Sequence, residues 1–183
     1  MAGMLCSTNF AQAQTLPIAD EGDFGGAHNN FPASNATDNN TAFASRWAAN
    51  FNDAGGDVNL FIDFGSVQEV SEIGVAWGRG NQRSYNFEVR ARAGTSGSWT
   101  KVRNRGDSGG NSNDIEFYDI NDIDARQVRV KVFSASDGAN WANITEFEAY
   151  GANGSSSSSS SSCSSRSSGS ATGAILNFRK RIQ

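Results

Sequence analysis

Tyr85-Asn86-Phe87-Glu88-Val89-Arg90-Ala91 alternates apolar and polar side chains without a break. In an extended chain successive side chains point to opposite faces, so Tyr85, Phe87, Val89 and Ala91 share one side and Asn86, Glu88 and Arg90 the other. A period of two with aromatic and β-branched residues on one side marks a half-buried strand. The same reading extends outward in both directions. Val58, Leu60, Ile62 and Phe64 recur at every second position and point one way, and Val128, Val130 and Val132 do the same within 127–133. Val70, Ile73, Val75 and Trp77 stand among small and polar residues. In 114–120, Ile115 and Phe117 fall on one face, followed by an irregularity before Ile120. In 144–150, Ile144, Glu146, Glu148 and Tyr150 fall on one face, with Phe147 and Ala149 on the other.

Turn formers separate these segments: 20 Gly against 2 Pro, with many Asn, Asp and Ser. Short strands so punctuated predict an all-β, antiparallel β-sandwich or jelly roll. Residues 41–50 are the only modest helical candidate.

The chain has 183 residues and a formal net charge of −4. That balance argues against a nucleic-acid partner, which needs a basic surface to displace counterions. A local arginine cluster can still receive a small anion within an acidic protein. No stretch approaches the ~20 apolar residues of a membrane span. The two cysteines, Cys6 and Cys163, lie outside every strand segment and build neither a disulfide framework nor a zinc motif.

The ends differ in kind from the middle. Ala11-Gln12-Ala13 has the small-x-small form of a signal-peptidase site, so residues 1–14 read as a signal-peptide remnant or an added tail. Residues 15–151 carry the strand pattern. Eight consecutive serines at 155–162 open a serine-rich stretch to Ser170, too polar to offset its own ordering entropy. Residues 152–170 thus read as a flexible linker, and 171–183 as a short tail leading to a domain outside this chain.

Four blocks in order support a resemblance: Asn35 to Asn40 followed by Ser45-Arg46-Trp47; Val58 to Gly65; Trp77 to Arg83 running into Tyr85; and Asn140 to Gly151. Together the chain resembles the discoidin-like (coagulation factor 5/8 type C) fold, and within it the carbohydrate-binding modules of family 32, of the kind attached to alginate lyases. The resemblance spans about 20–151. It implies a discoidin-like jelly roll and a non-catalytic module that targets an appended polysaccharide-degrading enzyme to its substrate. Galactose-type glycan binding, or a discoidin role in adhesion or at a membrane surface, is the alternative. It further implies a secreted bacterial protein, a monomer, and a polysaccharide partner with uronate-rich chains favoured.

Hard divalent cations take six to eight oxygens. Asp38 sits in a polar turn, and Glu146 is an acid in a strand that otherwise faces the core, where it needs a partner. By resemblance, a structural calcium would take Asp38 and Glu146, with oxygens from Asn35, Asn40, Ser45 and Thr145. Two additional residues between Asn40 and Ser45 leave Ser45 the least secure of these.

The resemblance places ligand binding on three loops at one end: His28, Asn30; Arg79, Asn81, Arg83; and Asn140, Trp141. Arginine forks match carboxylates, amides bond hydroxyls, and an indole can stack on a pyranose. Arg79 and Arg83 are expected in solvent-facing loops. Trp47 and Trp99 read as packing residues, and His28 as a hydrogen-bonding group, not a catalyst. No nucleophile–base constellation accompanies them.

Overall fold

A computed structural model describes residues 13–151. Cys6, the Ala11–Ala13 site, Cys163, the serine linker and the tail lie outside these residues, apart from Ala13. The elements are β1 (Gln14–Thr15), β2 (Asp20–Asp23), a 3₁₀ turn (Ala33–Ala36), β3 (Trp47–Asn50), β4 (Val58–Trp77), β5 (Tyr85–Arg92), β6 (Thr100–Asp107), β7 (Ile115–Ala135) and β8 (Trp141–Gly151). Every pairing between these strands is antiparallel.

β4 and β7 are each twice the length of an ordinary strand because they serve both layers of the sandwich. The first half of β4 pairs with β2 and with the second half of β7, which also carries β5; β6 closes that edge. After a register shift between Asp63 and Gln68, the second half of β4 pairs with the first half of β7 and with β8. β3 and β1 flank β8. Irregularities of this kind bend a strand and let it change layers.

The alternation seen in the sequence explains the core. Val58, Leu60 and Ile62 of β4, Tyr85, Phe87, Val89 and Ala91 of β5, and Val128, Val130 and Val132 of β7 are all fully buried. Each large apolar side chain so buried contributes about 1.5–3 kcal/mol. Trp77 stacks on Tyr85 at 4.9 Å, and Phe87 meets Tyr118 edge-on at the same distance. Trp47 is buried beside them, as a packing residue.

Three expectations need correction. Residues 47–50 form β3, not a helix, because they pair with β8 from Trp47↔Ile144 to Asn50↔Trp141; local helical propensity yields to that ladder. At the start of β7 the core side chains are Tyr118 and Ile120, whereas Ile115 and Phe117 are only half-buried, Phe117 packing on Tyr150. In β8 Ile144 joins Phe147 and Ala149 in the core. The cause is a one-residue irregularity: Trp77 faces Ile144 while Ala76 faces Glu146, so Thr145 is extra and reverses the faces that follow.

Candidate functional site

The three end loops converge. A cleft of about 360 Å³ is lined by His28, Phe31, Phe43, Arg46, Ala48, Arg79, Arg83, Ala139, Trp141 and Asn143. Of the residues expected to bind ligand, it gathers His28, Arg79, Arg83 and Trp141. Asn81 lines a neighbouring cleft of about 270 Å³, which shares Phe43 and Arg79 with the first. Asn30 and Asn140 line neither. Asn30 donates its backbone N–H to His28 Nδ1 (3.1 Å), and the Asn140 carbonyl accepts from Phe51 N–H (2.9 Å).

Arg79 projects from a tight turn closed by Gly80 N–H to the Trp77 carbonyl and by Gln82 N–H to the Arg79 carbonyl, both 2.9 Å. Its φ of 61° is left-handed, a conformation that costs a non-glycine residue on the order of 1 kcal/mol. Gly80 cannot be replaced cheaply, since a Cβ there would lie 2.3 Å from the Ser112 carbonyl oxygen. The turn thus holds Arg79 outward, its guanidinium over the Phe43 ring at 5.1 Å and exposed to solvent.

Arg83 is not in a solvent-facing position. It is 5% exposed. Its Nε donates to Tyr85 Oη (2.7 Å), its Nη1 to Asp137 (3.1 Å) and its Nη2 to the Trp141 carbonyl (3.5 Å). Tyr85 Oη in turn donates to the Gly78 carbonyl at 2.7 Å. The Ala139 N–H and then Arg83 hold the Asp137 carboxyl below the usual range. The strand period forecast Tyr85 inward; the two-residue offset then carries Arg83 onto the same side, under the loops.

The sequence reading missed Arg46, Phe31, Phe43 and Asn143. Arg46 lies between two rings, 3.6 Å from Phe31 and 4.1 Å from Phe43, and its Nε donates to Asn143 Oδ1 (3.1 Å). Burial, then the neighbouring Arg79, lower its pKa, yet a guanidinium stays charged throughout the working range. Strand parity could have found it: Trp47 faces the core, so Arg46 must face away. His28 packs against Phe31 (5.2 Å) and Trp141 (5.7 Å). With Nδ1 occupied as an acceptor, Nε2 is the ring's donor.

The candidate metal residues divide between the 3₁₀ turn with the loop that follows it (Asn35, Asp38, Asn40, Ser45) and β8 (Thr145, Glu146). Asn40 N–H is shared by Asp38 Oδ1 (2.9 Å) and Glu146 Oε2 (3.1 Å), so the two carboxylates converge on one amide. Ser45 Oγ donates to Asp38 Oδ2. Asn40 Oδ1 accepts from Ala42 N–H, Asn35 Nδ2 donates to the Arg46 carbonyl, and Thr145 Oγ1 donates to the Ala76 carbonyl. Glu146 is 2% exposed, and burial, then Glu148, push its carboxyl up to about 7. Neither Asp38 nor Glu146 forms an ion pair with Lys or Arg among the described residues. A buried carboxylate with a second acid beside it, and with amide and hydroxyl oxygens in the same loop, suits a hard cation. Among the described residues no three His, Cys, Asp or Glu side chains gather as ligands, so a cation here would complete its shell from amide, hydroxyl and backbone oxygens.

An antiparallel sandwich with a cationic, aromatic cleft among its end loops is a ligand-binding module of the discoidin class. The chain belongs to the F5/8 type C domain family, whose model matches residues 18–147. Its solved structural neighbours include family-32 carbohydrate-binding modules (CBM32). It is similar to the CBM32 of AlyQ in complex with 4,5-unsaturated mannuronic acid, at 27% identity and TM-score 0.64, covering 74% of this chain and 97% of that one. It is also similar to truncated AlyQ with CBM32 and alginate lyase domains, at 26% identity and TM-score 0.69, covering 82% of this chain and 36% of that longer one. The family 32 module of C. perfringens NanJ in complex with galactose shares the fold at 21% identity and TM-score 0.61, covering 76% and 99%. No curated protein sequence matches the chain. A module of this kind is non-catalytic. Among the described residues no helix is long and apolar enough to cross a membrane.

Proposed function

We propose that this domain binds a uronate-bearing polysaccharide in the end cleft. The observation that carries the reading is the convergence of Arg46, Arg79 and Arg83 on one cleft in a protein of net charge −4, where among the described residues Arg83 alone has a carboxylate partner. An anionic sugar would neutralise the other two. Arg79, exposed and unpaired, offers its fork to the uronate carboxylate. Trp141 and Phe43 give apolar faces for a pyranose, and His28 Nε2 and the Asn143 amide bond hydroxyls.

A calcium ion held by Asp38 and Glu146, with oxygens drawn from Asn35, Asn40, Ser45 and Thr145, would supply positive charge that the buried Glu146 lacks. It would tie the loop bearing Phe43 and Arg46 to β8. On this reading the domain is a secreted, monomeric module. It keeps a tethered polysaccharide-degrading enzyme, an alginate lyase first, near its substrate by raising local concentration. Truncated AlyQ, which has both a CBM32 and an alginate lyase domain, supports that choice.

The test is isothermal titration with mannuronate and galactose oligomers in calcium, at low and high salt. Mannuronate binding that weakens with salt is expected. Galactose binding without mannuronate binding would overturn the uronate reading in favour of the neutral-glycan alternative.

A further inference from the structure

The outer face of the layer formed by β2, the first half of β4, the second half of β7, β5 and β6 carries a second cationic and aromatic cluster, on residues separate from the end cleft. Phe61 of β4 lies opposite Arg129 of β7, which lies opposite Arg90 of β5, which lies opposite Lys101 of β6. Like charges directly across a sheet repel, so this row is unfavourable unless something compensates it. Part of the face is compensated internally: Arg90 pairs with Glu88, Lys131 with Asp57 and Arg126 with Asp63. Arg92, Arg129 and the exposed Lys101 have no ion pair among the described residues, although the Asp57 and Glu88 carboxylates act on Arg129 from a distance. Arg92 Nε reaches only the neutral Gln127 amide oxygen at 2.7 Å. Arg129 Nε is buried with no hydrogen-bond partner. Both guanidiniums lie on one indole, Trp99, at 4.3 and 4.4 Å. Beside them Phe24 stacks on Phe61 at 5.1 Å and meets Trp99 edge-on at 6.2 Å, while remaining 44% exposed.

We propose that this face is a second binding site for an acidic polysaccharide, in which Arg92 and Arg129 take a uronate carboxylate and Phe24 packs on a sugar ring. The proposal rests on the uronate reading of the end cleft and adds a separate surface to it. The choice of occupant follows from the chemistry side by side. An acidic peptide would satisfy the guanidiniums but has no apolar ring face for the exposed Phe24, whereas a uronate residue presents both a carboxylate and a pyranose face. Two weak sites on one rigid sandwich would hold a long chain more tightly than a short one, because the second contact is intramolecular.

Two tryptophans separate the sites. Trp141 lines the cleft, Trp99 lies under the outer face, and Trp47 and Trp77 are buried. Indole N–H resonances of the full 183-residue chain, followed during titration with a mannuronate hexamer, therefore report each site independently. The Trp99 resonance is expected to shift with its own, salt-sensitive curve. Arg92→Gln and Arg129→Gln, made separately, are each expected to weaken that curve by roughly tenfold or more while leaving the Trp141 curve unchanged. The two variants cover the event that one misfolds. A Trp99 resonance that stays still while Trp141 saturates overturns the proposal and spares the cleft reading. Movement of Trp99 without Trp141 supports the outer face and sinks the cleft. Equal movement of Trp99 with polyglutamate or a galactose oligomer overturns the assignment to an acidic sugar.

Discussion

Arg79 and Arg83 sit four positions apart and differ in almost every physical respect. Arg79 is exposed and has no ion pair among the described residues, so on the proposed reading Arg79→Ala removes a ligand contact and little else. Binding of a uronate oligomer is expected to weaken by roughly 1–3 kcal/mol in titration calorimetry, with stability within about 0.5 kcal/mol of wild type. Arg79→Lys recovers part of the loss, since an ammonium cannot fork. Arg83→Ala strips the Tyr85 hydroxyl, Asp137 and the Trp141 carbonyl of a common donor. It is expected to cost about 1–3 kcal/mol of folding stability in denaturant melts, as well as binding. Equal melts for the two alanine variants would contradict this division. Both arginines were legible as candidates because guanidinium suits uronate. Which one is buried was not, because burial depends on Asp137 and Trp141, more than fifty residues along the chain.

At the scale of the element, β4 decides most of the architecture. Its change of layer begins at Asp63, which accepts from Arg126 (2.9 Å), Gln127 (2.6 Å) and Gly65 N–H (2.7 Å). Burial works to raise this carboxyl, but those bonds outweigh it and hold the group below its ordinary value. The folded state then binds the proton less readily than the unfolded chain. The stabilisation is present above the ordinary carboxylate range and is lost as pH falls through the depressed value. Asp63→Asn is expected to destabilise at pH 7 by about 1 kcal/mol, because an uncharged amide oxygen accepts more weakly from Arg126 than a carboxylate does, and the difference should vanish in strong acid. Denaturant melts of both proteins across pH check it. A second element, the 78–83 turn, is set by close packing: Gly80→Ala should lower Tm and loosen Arg79, seen as weaker uronate binding. The alternation of β4, β5 and β7 could be read directly, since a strand half-buried on one face must repeat every two residues. The reversal at Thr145 could not, because an irregularity shows only when the opposing strand is counted against it.

For the whole molecule, the proposed calcium joins the first long loop to the last strand, so its effect belongs to the cooperative fold. Saturating calcium is expected to raise Tm by on the order of 10 °C over chelator-treated protein, through binding to the folded state alone. Asp38→Ala should remove most of that gain and weaken sugar binding, because Phe43 and Arg46 ride on the same loop. A Tm indifferent to chelator would count against the ion. What the sequence determined by itself was the all-β class, the core faces of the first half of β4, of β5 and of the second half of β7, the family and the loops that meet at one end. Those follow from short-range periodicity and ordered motifs, which each segment carries alone. Tertiary structure decided the rest: that Arg46 completes the cleft, that Arg83 is a buried strut, that Glu146 meets Asp38 over Asn40, and that Arg92 and Arg129 share one indole. Each of these joins segments far apart in the chain. The distance between such groups is a property of how two layers pack, and no local pattern encodes it.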